Sequence, residues 1–303
     1  MPMGQPSHRF PAQRIRTVLV LMLAAVFCQP GFAAEFVGTN TNNGQLLFIS
    51  TPNTVITITS TGVGPNGVIR GPFQQIIYVL SGAGAVHIFN PYARIDTTLA
   101  TGLTTPVDLT MEPGCKSILV SDIGVNKVFR ISLATHAVTT LYNGPDKIQG
   151  LTYDNNGNLF AVDDQLNAIV QISTTTGAIV NQTSSGSPLT APEGLAFDSY
   201  TGELFATSST GQMLYEVTTD LGTVTPIPFT AEPTLHGIVS DGQGNLYVVG
   251  TNGTTSYILQ YAIPTAAEKT LNTVPGLEDI ALILIGPCPK VAVGGVEEVC
   301  GGI

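Results

Sequence analysis

A short phrase returns along this chain every 41 to 44 residues, and it limits the possible folds more than any other feature. It reads x-Gly-Leu or x-Gly-Ile, an apolar run, a turn built on Asp or Gly, then Leu-Phe/Tyr-Ala/Val. Three copies are plain: QGLTYDNNGNLFAVDD from Gln149, EGLAFDSYTGELFATSS from Glu193 and HGIVSDGQGNLYVVGT from His236. A fixed period of this size marks stacked copies of one supersecondary unit. Each unit is too small to bury its apolar face alone.

The residue x stands at Asn66, Val107, Gln149, Glu193, His236 and Glu278, with Val-Asp-Leu and Glu-Asp-Ile in place of x-Gly-Leu at Val107 and Glu278. The second apolar run gives an independent count of six, from Phe36-Val37 to Leu246-Tyr247-Val248. Within a repeat, apolar and polar residues alternate and Thr, Val, Ile and Tyr dominate, which is a strand pattern. Asn156-Gly157, Thr176-Gly177 and Gly242-Gln243-Gly244 supply the turns. No stretch after residue 34 keeps a 3.6-residue period, so helix is expected to be nearly absent. Four strands in about 42 residues make one blade of a propeller.

The expected fold is therefore all-β: a single-domain, six-bladed β-propeller over residues 34–287. Its first blade begins at the second apolar run, and Leu277 to Leu282 supplies the missing inner strand. This velcro closure leaves no unpaired edges at the joint. Residues 288–303 fall outside the pattern as a tail.

The first 33 residues read as a secretory signal peptide. Arg9, Arg14 and Arg16 precede an apolar stretch from Thr17 to Cys28, and Gly31-Phe32-Ala33 offers small residues at the cut. The stretch is too short to span a membrane. Export to a periplasmic or extracellular location is the expectation, with no stable membrane insertion. Loss of the leader moves the net charge from −10 to about −13, which argues against nucleic acid as a partner. Charged residues are 11% of the chain, against the usual ~25%, so the surface is polar without being highly charged. In an oxidising compartment Cys288 and Cys300 are placed to pair. Cys115, after Glu112-Pro113-Gly114, is then left over as a partly buried free thiol.

The stretches DIGVNKVFR from Asp122 and DQLNAIVQ from Asp164 resemble the strand openings of NHL-repeat propellers. The polar residue before the inner Gly resembles the SMP-30/gluconolactonase-like group, which has Glu, Asn or Asp there in different blades. There such residues converge on a divalent metal over the central channel. His236 before Gly-Ile, with Glu278 one blade later, also resembles the virginiamycin B lyase type. That type carries a second His where Ile280 stands here.

The structural part of the phrase has its own reading. Gly150, Gly194 and Gly237 let inner strands crowd the axis, and Asp154, Asp198 and Asp241 bond amides in their own turns. The x ring is the candidate site. Asn66, Gln149, Glu193, His236 and Glu278 offer oxygen ligands for Ca²⁺, or with the imidazole a transition metal such as Zn²⁺. Glu193 and Glu278 are the candidate bases for attack on a lactone or ester. The leading expectation is a monomeric binding module that takes a protein or small molecule on one face. The alternative is a metal-dependent lactonase or related hydrolase of SMP-30-like type. The ring also reads simply as the wet lining of a channel. No Trp is present, and no nucleophile elbow or phosphate-binding loop appears.

Overall fold

The structure, a computed structural model, describes residues 34–50, 54–61, 64–230 and 234–285. The signal segment, the tail 288–303 and the proposed Cys288–Cys300 pair lie outside the described residues. Those described carry 24 strands and three single-turn 3₁₀ segments. No helix among them is long and apolar enough to cross a membrane.

The strands form six four-stranded antiparallel sheets. The first holds β1 (Ala34–Asn40), β2 (Gln45–Ser50) and β3 (Thr54–Ser60). The second holds β4 (Pro65–Arg70), β5 (Ile76–Leu80), β6 (Ala85–Asn90) and β7 (Ile95–Thr101). The third holds β8 (Pro106–Met111), β9 (Ser117–Asp122), β10 (Lys127–Ser132) and β11 (Val138–Asn143). The fourth holds β12 (Ile148–Tyr153), β13 (Leu159–Asp163), β14 (Ala168–Ile172) and β15 (Ile179–Gln182). The fifth holds β16 (Pro192–Asp198), β17 (Glu203–Ser208), β18 (Met213–Val217) and β19 (Val224–Pro228). The sixth holds β20 (Thr234–Ser240), β21 (Asn245–Thr251), β22 (Ser256–Ala262) and β23 (Ala267–Thr273). The last strand, β24 (Leu277–Ile285), returns to the first sheet and pairs with β1 in the order β24-β1-β2-β3. The expected six-bladed propeller and its closure from both chain ends are both present.

The second strand of a blade is covered on both sides, so its apolar residues run on without alternating. All five residues of β5 and of β13 are buried. The outermost strands face solvent, and β7 is mostly exposed. Six apolar clusters follow, each between two adjacent blades. One joins Phe160 and Ile169 to Leu195, Leu204 and Tyr215. Another closes the ring, with Phe36, Leu47 and Ile49 against Tyr247, Val249 and Ile258. Burying one such side chain stabilises by roughly 1.5–3 kcal/mol. A blade by itself has no neighbour to bury these residues.

Crowding at the axis explains the inner glycines. A Cβ on Gly150 would lie 2.5 Å from the Glu193 carbonyl oxygen, and one on Gly194 would lie 2.5 Å from that of His236. Two blades carry Asp instead, at Asp108 and Asp279. Each reaches sideways to the next inner strand. Asp108 Oδ2 accepts the Leu151 N–H at 2.8 Å, and Asp279 Oδ2 accepts the Val68 N–H at 2.9 Å. Gly67 and Gly237 make the room, since a Cβ on Gly237 would meet Asp279 Oδ1 at 2.0 Å.

The turn aspartates do what their position implies. Asp154 Oδ1 accepts the N–H groups of Asn156 and Asn158, and Asp241 Oδ1 those of Gln243 and Asn245. Asp198 accepts the Thr201 N–H and also the Ser240 hydroxyl of the next blade at 2.5 Å.

Two expectations need correction. The residue equivalent to Asp122 is Asp163, one place before Asp164. Each ends its second strand and accepts from the following turn, Asp122 the Gly124 N–H and Asp163 those of Gln165 and Leu166. Asp164 instead pairs with Lys147 at 2.7 Å. Nor is Cys115 a free thiol. It sits in the β8–β9 turn with a left-handed φ of 54° and is disulfide-bonded.

Gly237→Ala is expected to cost about 1–3 kcal/mol through overpacking at the axis. Gly186→Ala, at an exposed position with nothing within 4 Å of the added Cβ, should change stability by less than about 0.5 kcal/mol. Urea unfolding of both variants checks the contrast.

Candidate functional site at the channel mouth

The inner strands do not pair evenly with their neighbours. In every blade the ladder slips at the x position. In β12 the pairing passes from Ile148 to Leu151, leaving Gln149 and Gly150 out of register. It passes from Pro192 to Leu195 in β16 and from Leu235 to Ile238 in β20. It passes from Pro65 to Val68 in β4 and from Pro106 to Asp108 in β8. In β24 it passes from Leu277 to Asp279 and omits Glu278. A bulge of this kind leaves a residue unpaired and re-aims its side chain. Six bulges at one level make a ring of six half-buried side chains. Five of them, all but His236, line a channel of about 500 Å³ together with the rest of the inner strands.

Neighbours on the ring follow blade order, so Glu278, His236 and Glu193 come from three consecutive blades. The structure brings these three together. Each offers one ligating atom, and all three atoms lie within 4.8 Å of one another. His236 Nδ1 lies 2.9 Å from Glu193 Oε1. Asn66 and Gln149 line the channel on either side of the three, and Val107 stands across the ring from His236. Asn66 is as firmly placed by its bulge as the others.

The charges explain each other. Burial pulls the His236 pKa down, but the Glu193 hydrogen bond and the charges of Glu193 and Glu278 outweigh it, and the net shift is upward. Burial raises the Glu278 carboxyl, His236 opposes this, and the Glu193 charge adds to it. Below the ring, burial also raises Asp108 and Asp279, and Asp108 raises Asp279 further by its charge. Four acids and one imidazole thus share the axis, and the field there favours a cation.

Asp108 and Asp279 were not among the residues singled out from sequence as site candidates. Their signal was visible as two departures from Gly at the inner second position. They line the channel, and their hydrogen bonds show them to be ties between blades as well.

No protein-family model and no curated protein matches this sequence. Solved structures do share its fold. A chain from the crystal structure of a nidogen/laminin complex superposes with a TM-score of 0.72 at 13% identity, over 84% of this chain and 99% of that one. A streptogramin B lyase structure gives a TM-score of 0.61 at 14% identity, over 84% and 89%. Virginiamycin B lyase from Staphylococcus aureus gives 0.56 at 17%, over 69% and 70%. At such identities the likeness establishes the fold alone.

Replacing Glu193 by Gln should lower the pKa of His236 in cation-free protein, read by an NMR titration of its ring protons. The sign carries over to stability. A raised histidine contributes fully below its ordinary value of about 6.5 and loses that contribution as pH rises through the folded value. The stability gap between wild type and variant, up to about 1 kcal/mol for a partly exposed pair, should be widest near pH 6 and close as the solution becomes basic.

Proposed function

We propose that the channel mouth holds a divalent cation on Glu193, His236 and Glu278, and that this site acts on a small lactone or ester. One observation carries the reading: three ligating side chains from three blades converge within 4.8 Å. Atoms at that spread can share one ion at about 2.0–2.4 Å. A nitrogen donor beside two carboxylates suits Zn²⁺ or a similar transition metal better than Ca²⁺, which prefers oxygen alone. Three protein donors leave positions open, as catalytic sites do. The crowding that raises Glu278 supports the fit, because a cation relieves it.

When bound, such an ion polarises a carbonyl oxygen and acidifies a water. The chain's own residues do the rest. Without an ion, Glu193 accepts the Nδ1–H of His236; an ion shared by the two would take that proton's place, so its affinity should fall as the imidazole is protonated. Glu278, half-buried and with its carboxyl raised by burial, can ligate through one oxygen and take a proton on the other. Gln149 and Asn66 offer amides to a ligand's oxygens, and Val107 gives the opposite side an apolar surface.

The SMP-30-like resemblance favours hydrolysis over elimination. The virginiamycin B lyase type needs a second histidine where Ile280 stands, and Ile280 is buried in the interface that closes the ring. Binding a protein on one face, the leading expectation for a scaffold that serves many functions, has the nidogen/laminin neighbour in its favour by fold only.

The test is thermal unfolding after EDTA, with Zn²⁺, Mn²⁺, Mg²⁺ or Ca²⁺ returned. A cation at about 100 times its dissociation constant stabilises by ~2.7 kcal/mol. Zn²⁺ or Mn²⁺ should raise the wild-type midpoint, and Glu193→Gln and His236→Ala should lose most of the shift. The cation that shifts the wild type should then support turnover in a lactone and ester panel. If no cation moves the wild type, the hydrolase reading fails.

A further inference from the structure

We propose that Thr207, fully buried on β17, is the positioning residue that sets Glu193 against His236. The inference rests on the reading of the three-residue cluster as a metal site, and it names what holds two of the three donors in place.

The bulge in β16 takes the pairing from Pro192 to Leu195, so Gly194 falls out of the ladder with Glu193. The Thr207 side chain fills the gap. Its hydroxyl oxygen accepts the Gly194 N–H at 2.9 Å. A hydroxyl has one proton to give, and the nearest acceptor is the backbone carbonyl of His236 in the next blade, at 2.5 Å. The Gly194 carbonyl is farther, at 3.5 Å. One hydroxyl therefore joins the peptide after Glu193 to the peptide after His236. The side chains those residues carry meet 2.9 Å apart. The contact has no slack, since a Cβ on Gly194 would lie 2.5 Å from the His236 carbonyl oxygen and 2.9 Å from the Thr207 hydroxyl.

The other blades show that this tie is not a demand of the fold. Val79, Val162 and Val249 stand one place beyond Tyr78, Ala161 and Val248, as Thr207 stands beyond Ala206. Ser121 and Thr39 occupy the same place, facing Asp108 and Asp279. All six are fully buried. Valine in three blades shows that the position folds without a hydroxyl. Ser121 bonds the backbone of Asp108 in its own blade, and the Thr39 hydroxyl has no partner. Of the three hydroxyls, that of Thr207 reaches the next blade, and the two blades it joins are those that supply Glu193 and His236.

A shared ion needs its ligand atoms placed to about 0.2 Å. Groups that orient ligands without touching the ion typically cost 10–100-fold in affinity when removed. Thr207 acts in this way, through the backbone of two donors.

The test removes the hydroxyl by Thr207→Val, which supplies the residue three other blades carry, and by Thr207→Ala. Thr207→Ser keeps the hydroxyl, and Ser121→Ala removes one from the same position two blades away. Zn²⁺ affinity is measured by competition with a chromophoric chelator. In EDTA, at a pH where the imidazole is neutral, ¹⁵N–¹H spectra report which nitrogen of His236 carries the proton. Thr207→Val and Thr207→Ala should bind Zn²⁺ about 10–100-fold more weakly than wild type, while Thr207→Ser and Ser121→Ala stay within about threefold. The first two should also move His236 from the Nδ1–H form toward the Nε2–H form. Unchanged affinity without the hydroxyl, or an equal loss in Thr207→Ser or Ser121→Ala, overturns the proposal. If wild type binds no Zn²⁺, the metal reading falls by itself and the proton position decides. A shift toward Nε2–H in Thr207→Val then upholds the tie, and an unchanged Nδ1–H overturns it.

Discussion

Six inner strands meet around one axis, and there is no room there for six ordinary strands. The structure answers with the same device in each blade. The ladder slips by a bulge, the crowded position is Gly or an Asp that reaches sideways, and the displaced side chain turns to the channel. Fold and candidate site therefore share one cause. What lets the ring close also sets Asn66, Val107, Gln149, Glu193, His236 and Glu278 at one level.

The same crowding makes the fold cooperative. Each apolar cluster lies between two blades, and the last is closed only when β24 pairs with β1. The acids on the axis work against this packing. Asp108 and Asp279 offset their burial by accepting backbone N–H groups from the next blade. Glu193 does so through His236, and Glu278 receives less compensation. The local balance is poorest at the site itself, as expected where function and stability compete.

Much of the fold was legible in the sequence because the period is long, regular and doubly counted. Residues that do one job in every blade, such as Gly150, Gly194 and the turn Asp154, could be read from their repetition. The convergence of Glu193, His236 and Glu278 was legible for the same reason, since six-fold placement brings distant residues to one ring. Residues that break the pattern were harder. Asp108 and Asp279 look like lapses from Gly until the neighbouring strand shows what they bind. Asp163 and Asp164 are adjacent, and only the strand register separates the turn-holder from the partner of Lys147. Cys115 was misjudged because spacing alone pairs the two nearest cysteines and says nothing of the third.

Anomalous diffraction from crystals of the mature protein soaked in Mn²⁺ or Zn²⁺ tests the central claim most directly. The account predicts one strong peak on the axis, within bonding distance of Glu193, His236 and Glu278, and no comparable peak elsewhere in the channel. An empty ring, or a peak held by Asp108 and Asp279 alone, would contradict it.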